Sequence, residues 1–127
     1  MKISAVMLLA LFAPSLPGCT RTAVLHQPPP VSFVSRSTDE VEAAILAGAR
    51  KRKWIPTKVR DGVIDATLYL RTHVAVVRIE YGADSFTVRY LRSEQLNYKR
   101  RKDGTEVIHP NYNSWVRNLI NDILMEL

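Results

Sequence analysis

The chain has 127 residues, 18 Lys and Arg against 12 Asp and Glu for a formal charge of +6, and a single Cys. That length suits one domain and excludes a multidomain enzyme or a complete Rossmann or TIM architecture; one Cys excludes an internal disulfide framework and a Cys-rich zinc site. With 46% apolar and 24% charged residues, the composition is that of a globular protein.

Residues 1–18 read as an export signal. Lys2 is followed by an uncharged, mostly apolar run from Ile3 to Ala13 and then by Pro14-Ser15-Leu16-Pro17-Gly18-Cys19. The run falls short of the roughly 20 apolar residues that span a bilayer. A positive start, a short apolar stretch and a small residue before a break describe a secretory signal. Leu16-Pro17-Gly18-Cys19 resembles a bacterial lipobox, with Leu three residues before the Cys and Gly immediately before it; Pro17 departs from the small residue usual between them. The resemblance implies acylation of Cys19, palmitate included, and Thr20 in place of Asp implies an outer-membrane destination facing the periplasm. Several acyl chains on one Cys anchor stably, because each buried CH₂ contributes about 0.8 kcal/mol.

Residues 19–37 are expected to form the lipidated Cys and a Pro-rich tether, since His26-Gln27-Pro28-Pro29-Pro30 favours an extended, stiff chain. Val31-Ser32-Phe33-Val34 can alternatively pack as a short edge strand. A single domain is expected over 38–127. Ser37 or Thr38 caps a first helix with Asp39, Glu40 and Glu42 in its first turn, Val41, Ala44, Ile45 and Gly48 on one face, and Arg50-Lys51-Arg52-Lys53 at its end. Trp54-Ile55-Pro56 ends that helix.

Three strands follow. Ile64, Ala66, Leu68 and Leu70 alternate with polar residues, His73–Tyr81 is apolar almost throughout as in a central strand, and Phe86, Val88 and Tyr90 alternate again. The short connections imply an antiparallel meander. Asp103-Gly104 signals a hairpin that returns Val107-Ile108 as a short strand. Tyr112, Trp115, Val116, Leu119, Ile120, Ile123, Leu124 and Leu127 mark a final amphipathic helix, with Pro110 in its first turn. The predicted fold is α+β: a two-layer sandwich in α-β-β-β-α order, with both helices on one sheet face.

No metal-ligand spacing joins His26, His73 and His109, and there is no nucleophile elbow, usable Cys–His pair or Gly-rich phosphate loop. Neither a catalytic residue nor a cofactor is predicted, and a non-enzymatic role is expected. Basic residues carry the remaining signal, in a candidate patch of Arg50, Lys51, Arg52 and Lys53 together with Lys99, Arg100, Arg101 and Lys102. With the helices on one side, the other sheet face is expected to present Tyr69, Arg71, Val74, Val76, Arg78, Arg89 and Leu91, a mixed apolar and Arg-rich surface for a partner. Reversing Arg78 and Arg89 to Glu is expected to abolish capture and spare the fold. The partners in view are the membrane through Cys19 and an envelope protein or acidic envelope polymer. Nucleic acid is the alternative if the N-terminus is no export signal, and a small periplasmic hydrolase is a third reading.

Gly62–Leu68, Arg71–Ala75, Ile79–Tyr81, Phe86–Tyr90, Ser93–Tyr98 and Ile108-His109-Pro110-Asn111-Tyr112-Asn113-Ser114-Trp115-Val116 together resemble a group of small proteobacterial lipoproteins over residues 38–127. The resemblance implies a lipid anchor and an envelope location, and no catalytic residue. The His109–Trp115 stretch is read as cap and core, with His109 or Asn111 capping the helix and Tyr112 and Trp115 facing inward.

Overall fold

Ser37 opens the first helix as expected: its hydroxyl accepts the Glu40 amide at 3.2 Å, and Asp39 and Glu40 lie in the first turn of α1 (Thr38–Lys51). The computed structural model describes residues 21–127. At the other end of α1, Lys53 takes a positive φ of 68° and the Trp54 amide reaches back to the Ala49 carbonyl at 3.0 Å. This left-handed stop directs Trp54, 2% exposed, into the core.

β3 (Ile55–Arg60), β4 (Val63–Leu70), β5 (His73–Tyr81) and β6 (Ser85–Glu94) form an antiparallel meander. With β2 (Val31–Ser32) they make a five-stranded sheet ordered β2-β6-β5-β4-β3, so β5 is central, as its continuous apolar run predicts. β3 corrects the sequence reading, which ended the first helix at Trp54-Ile55-Pro56 and placed no strand between that helix and residue 64. Pro56 lacks the amide a central strand needs, but at a sheet edge its nitrogen faces outward. The bulge between Lys58 and Arg60, with Pro56, also blunts this open edge against pairing with another chain.

Beyond β6, β7 (Lys99–Arg100) and β8 (Glu106–Ile108) pair antiparallel, and β1 (Ala23–Val24) adds to β8 to give a small sheet ordered β1-β8-β7. The chain then enters α2 (Pro110–Glu126), whose N-cap is His109. Ile64, Ala66, Leu68, Ala75, Val77, Ile79, Phe86 and Val88 point from the large sheet toward the helices and share one core with Val41, Ile45, Val116, Leu119 and Ile123. Each Val, Leu, Ile or Phe side chain among these contributes about 1.5–3 kcal/mol on burial. The result is the expected α+β sandwich. At Gly48 the helices cross so closely that a Cβ would lie 2.7 Å from the Ile123 backbone.

The segment read as a tether runs along this domain from residue 23 onward. Val31 and Ser32 pair with Phe86 and Ser85, which is the edge-strand alternative, and Phe33 packs on Phe86 at 6.1 Å between ring centroids. The Gln27 side chain donates to the Val88 carbonyl at 2.9 Å, satisfying an edge group that β2 leaves uncovered. Asn113 on α2 clamps the same segment by accepting the His26 amide and donating to the Val24 carbonyl, each at 3.0 Å. An amide side chain thus stands in for a neighbouring strand.

Candidate functional site

Side chains on successive strand positions alternate between faces, so the residues between the core positions line the opposite face of the large sheet. The ladder sets them in rows: Arg60, Val63, Glu80 and Thr87; then Thr57, Asp65, Arg78 and Arg89; then Ile55, Thr67, Val76 and Arg92; then Tyr69, Val74 and Glu94. Both helices occupy the other side, and no second layer covers this face among the described residues. Its last two rows carry the apolar side chains, with Tyr69 63% exposed, Ile55 55% exposed, and Val76 buried among its neighbours.

The arginines expected to greet a ligand are largely engaged. Arg78 binds Asp65 with two hydrogen bonds, 2.8 Å from Nε to Oδ1 and 3.0 Å from Nη2 to Oδ2, and Arg89 pairs with Glu80. Arg78 and Arg89 face each other across the ladder, and the two carboxylates neutralise what would otherwise be a like-charge pair. The Arg78 hydrogen bonds hold the Asp65 carboxyl below its ordinary range, with Arg92 and Arg60 adding attraction. Charge reversal at Arg78 would therefore set two carboxylates together and strain the sheet, so the fold-sparing reversal expected from the sequence does not suit this position.

Tyr69 lies where the alternation predicts. Arg71 lies beyond the face, in the exposed β4–β5 turn, with a positive φ of 57°. Leu91 is displaced: Tyr90 pairs with Val77 and Arg92 with Val76, so Leu91 is the extra residue of a bulge and Arg92 takes the ladder position on the open face. Counting every second residue from Arg89 selects Leu91, and no residue in this stretch signals the skipped step. Arg60, Arg71 and Arg92 form no ion pair among the described residues.

The two basic runs sit on different elements. At the end of α1, Lys51 pairs with Glu126 at 2.7 Å and Arg52 with the buried Asp122 at 2.8 Å, tying this end to α2; Arg50 and Lys53 are exposed. Half of that run is structural. Lys99, Arg100, Arg101 and Lys102, by contrast, are all exposed on the β7–β8 hairpin without an ion pair among the described residues.

His73 and His109 meet, 6.0 Å apart between ring centroids, with Trp115 6.3 Å from His73. Their hydrogen bonds fix the role of each Nδ1. His73 Nδ1 lies 2.6 Å from the Gln95 carbonyl oxygen and donates to it, whereas His109 Nδ1 accepts the Asn111 amide at 3.1 Å and so leaves its proton on Nε2. A metal on that Nε2 would displace the proton to Nδ1 and break the helix cap. The His109–Trp115 stretch follows the cap-and-core reading: His109 caps, Tyr112 is buried edge-on against Tyr90 at 5.7 Å, Val116 is in the core, and Trp115 packs on His73. Asn113 adds the clamp on residues 24 and 26, which no local pattern signals.

Near the start of α1, a depression of about 200 Å³ is lined by Glu42, Lys58, Asp61 and Tyr81. Lys58 bridges Glu42 and Asp61 at 3.0 and 3.1 Å, and the Tyr81 hydroxyl donates to Glu42 at 3.0 Å. Those bonds from Lys58 and Tyr81 lower the Glu42 pKa and keep it ionised, the opposite of what a general acid requires. No group of three His, Cys, Asp or Glu able to hold a metal occurs among the described residues.

The expected export signal and Cys19 lie outside the described residues, and no described helix is long and apolar enough to cross a membrane. No family model, curated protein or solved structure matches the chain.

Proposed function

We propose that the chain is a lipid-anchored envelope protein, acylated at Cys19 and facing the periplasm from the outer membrane, whose domain binds a protein partner instead of catalysing a reaction. The observation that carries the binding reading is the uncovered sheet face. Ile55 and Tyr69 stand exposed on it beside Val74 and Val76, and internal ion pairs neutralise Arg78 and Arg89. Partner surfaces favour exposed aromatic and aliphatic side chains of this kind. Arg60, Arg71 and Arg92 are the cations left to meet a partner's acidic groups. The anchor is supported by Leu16-Pro17-Gly18-Cys19 after a short apolar run.

The test is site-specific photocrosslinking in intact cells, from position 69 on the open face and from position 125 on the helix layer. A discrete adduct is expected from position 69 and not from 125, and Ile55→Glu should abolish it without lowering the melting temperature. Equal adducts from both positions, or an adduct indifferent to Ile55→Glu, would remove the sheet face from the reading.

A further inference from the structure

We infer that the β7–β8 hairpin is a second, electrostatic membrane contact, with Lys99, Arg100, Arg101 and Lys102 set against an anionic phospholipid surface. The inference rests on the lipid-anchor reading for its geometry and on the hairpin itself for its chemistry.

Cys19 precedes Ala23 by four peptide steps, and an extended chain spans at most about 3.6 Å per residue, so an acylated Cys19 holds the start of β1 within about 14 Å of the lipid. β1 belongs to the same small sheet as the cations. Val24 lies opposite Val107, and Val107 opposite Lys99. Two strand spacings separate Val24 from Lys99, about 10 Å. So short a leash prevents the domain from leaving the surface, and charge then decides which part of it turns toward the lipid.

The hairpin holds the longest exposed cation run free of ion pairs within that reach, since Lys51 and Arg52 are spent on Glu126 and Asp122. Its own acids are outnumbered two to one: Asp103 accepts the Thr105 amide at 2.9 Å within the turn, and Glu106 accepts the Tyr98 hydroxyl at 2.6 Å. Tyr98 in turn stacks on Tyr90, 4.5 Å between centroids, so the hairpin is braced against the domain. A cation at an anionic lipid surface raises the bound population about fivefold. A run of them sets orientation and needs no pocket.

The experiment uses the protein extracted from native membranes and reconstituted on vesicles of phosphatidylcholine alone or with phosphatidylglycerol. Acetylation of each lysine is read by mass spectrometry. Labelling of Lys99 and Lys102 is expected to fall severalfold on phosphatidylglycerol vesicles and to recover at high salt, while Lys53 is unchanged. Replacing Arg100 and Arg101 by Gln should weaken that protection of Lys99 and Lys102. Equal labelling of Lys99 and Lys102 on both vesicles overturns the inference whether or not the Gln variant folds. Equal protection by a free oligonucleotide at the same ionic strength overturns the assignment to lipid. Flotation on phosphatidylcholine alone reads the acyl anchor separately: its loss, with hairpin-dependent flotation on phosphatidylglycerol retained, removes the anchor and keeps the hairpin contact.

Discussion

Asp65 accepts both bonds from Arg78 and lies in the field of Arg92 and Arg60, and its carboxyl is held below the ordinary value near pH 4. Glu42 is lowered in the same direction by its bonds from Lys58 and Tyr81. A carboxyl with a depressed folded pKa contributes stability that is present above its unfolded value and lost as the pH falls through the folded one. The melting temperature should therefore hold down to about pH 5 and decline below about pH 4. Asp65→Asn should lower it at neutral pH and flatten the acid decline. A variant that loses nothing at neutral pH and declines in acid as the parent does would contradict this role. Single residues are also where sequence reading reached least far. Arg78 and Arg89 read as free cations because Asp65 and Glu80 become their partners only through strand register. The helix-capping role of His109 was legible, since its place before Pro110 at a helix start is local information.

Among the elements, α1 and α2 were legible because their apolar residues recur at helical spacing, and β4–β6 because of their alternation. β3 was not, because it buries little and carries Pro56. The bulge that exchanges Leu91 for Arg92 was invisible for a related reason: alternation counts residues along one strand, whereas a bulge exists only between two. The helix pairing depends on Gly48, whose missing Cβ lets Ile123 approach. Gly48→Ala should cost about 2 kcal/mol by overpacking a backbone contact that no rotamer change relieves. Thermal melting of this variant checks the figure, and an unchanged midpoint would mean that the helices can separate freely. Asn113→Ala should remove the two bonds that hold residues 24 and 26, about 1 kcal/mol each. Hydrogen exchange at the His26 amide should accelerate while that of β5 stays slow; unchanged protection at His26 would show that the clamp contributes nothing.

Taken whole, the domain has a helix layer on one side of a five-stranded sheet and an uncovered face on the other, and its N-terminal segment is drawn along the β6 edge before α1 begins. The layer arrangement followed from element order and apolar pattern. The docking of residues 23–34 depends on Gln27, Asn113 and pairing partners more than fifty residues away, which no local pattern reveals. That docking makes the leash to Cys19 short, so the anchor, the basic hairpin and the uncovered face form one geometric account.

The anchor is the claim on which that account turns, and intact mass spectrometry of the protein from native membranes, beside a Cys19→Ala version, tests it most directly. A chain beginning at Cys19 and carrying acyl mass is expected, with both features lost in the Cys19→Ala protein. A chain that retains Met1 and carries no lipid would contradict it, and the basic residues would then have to be read as a surface for nucleic acid.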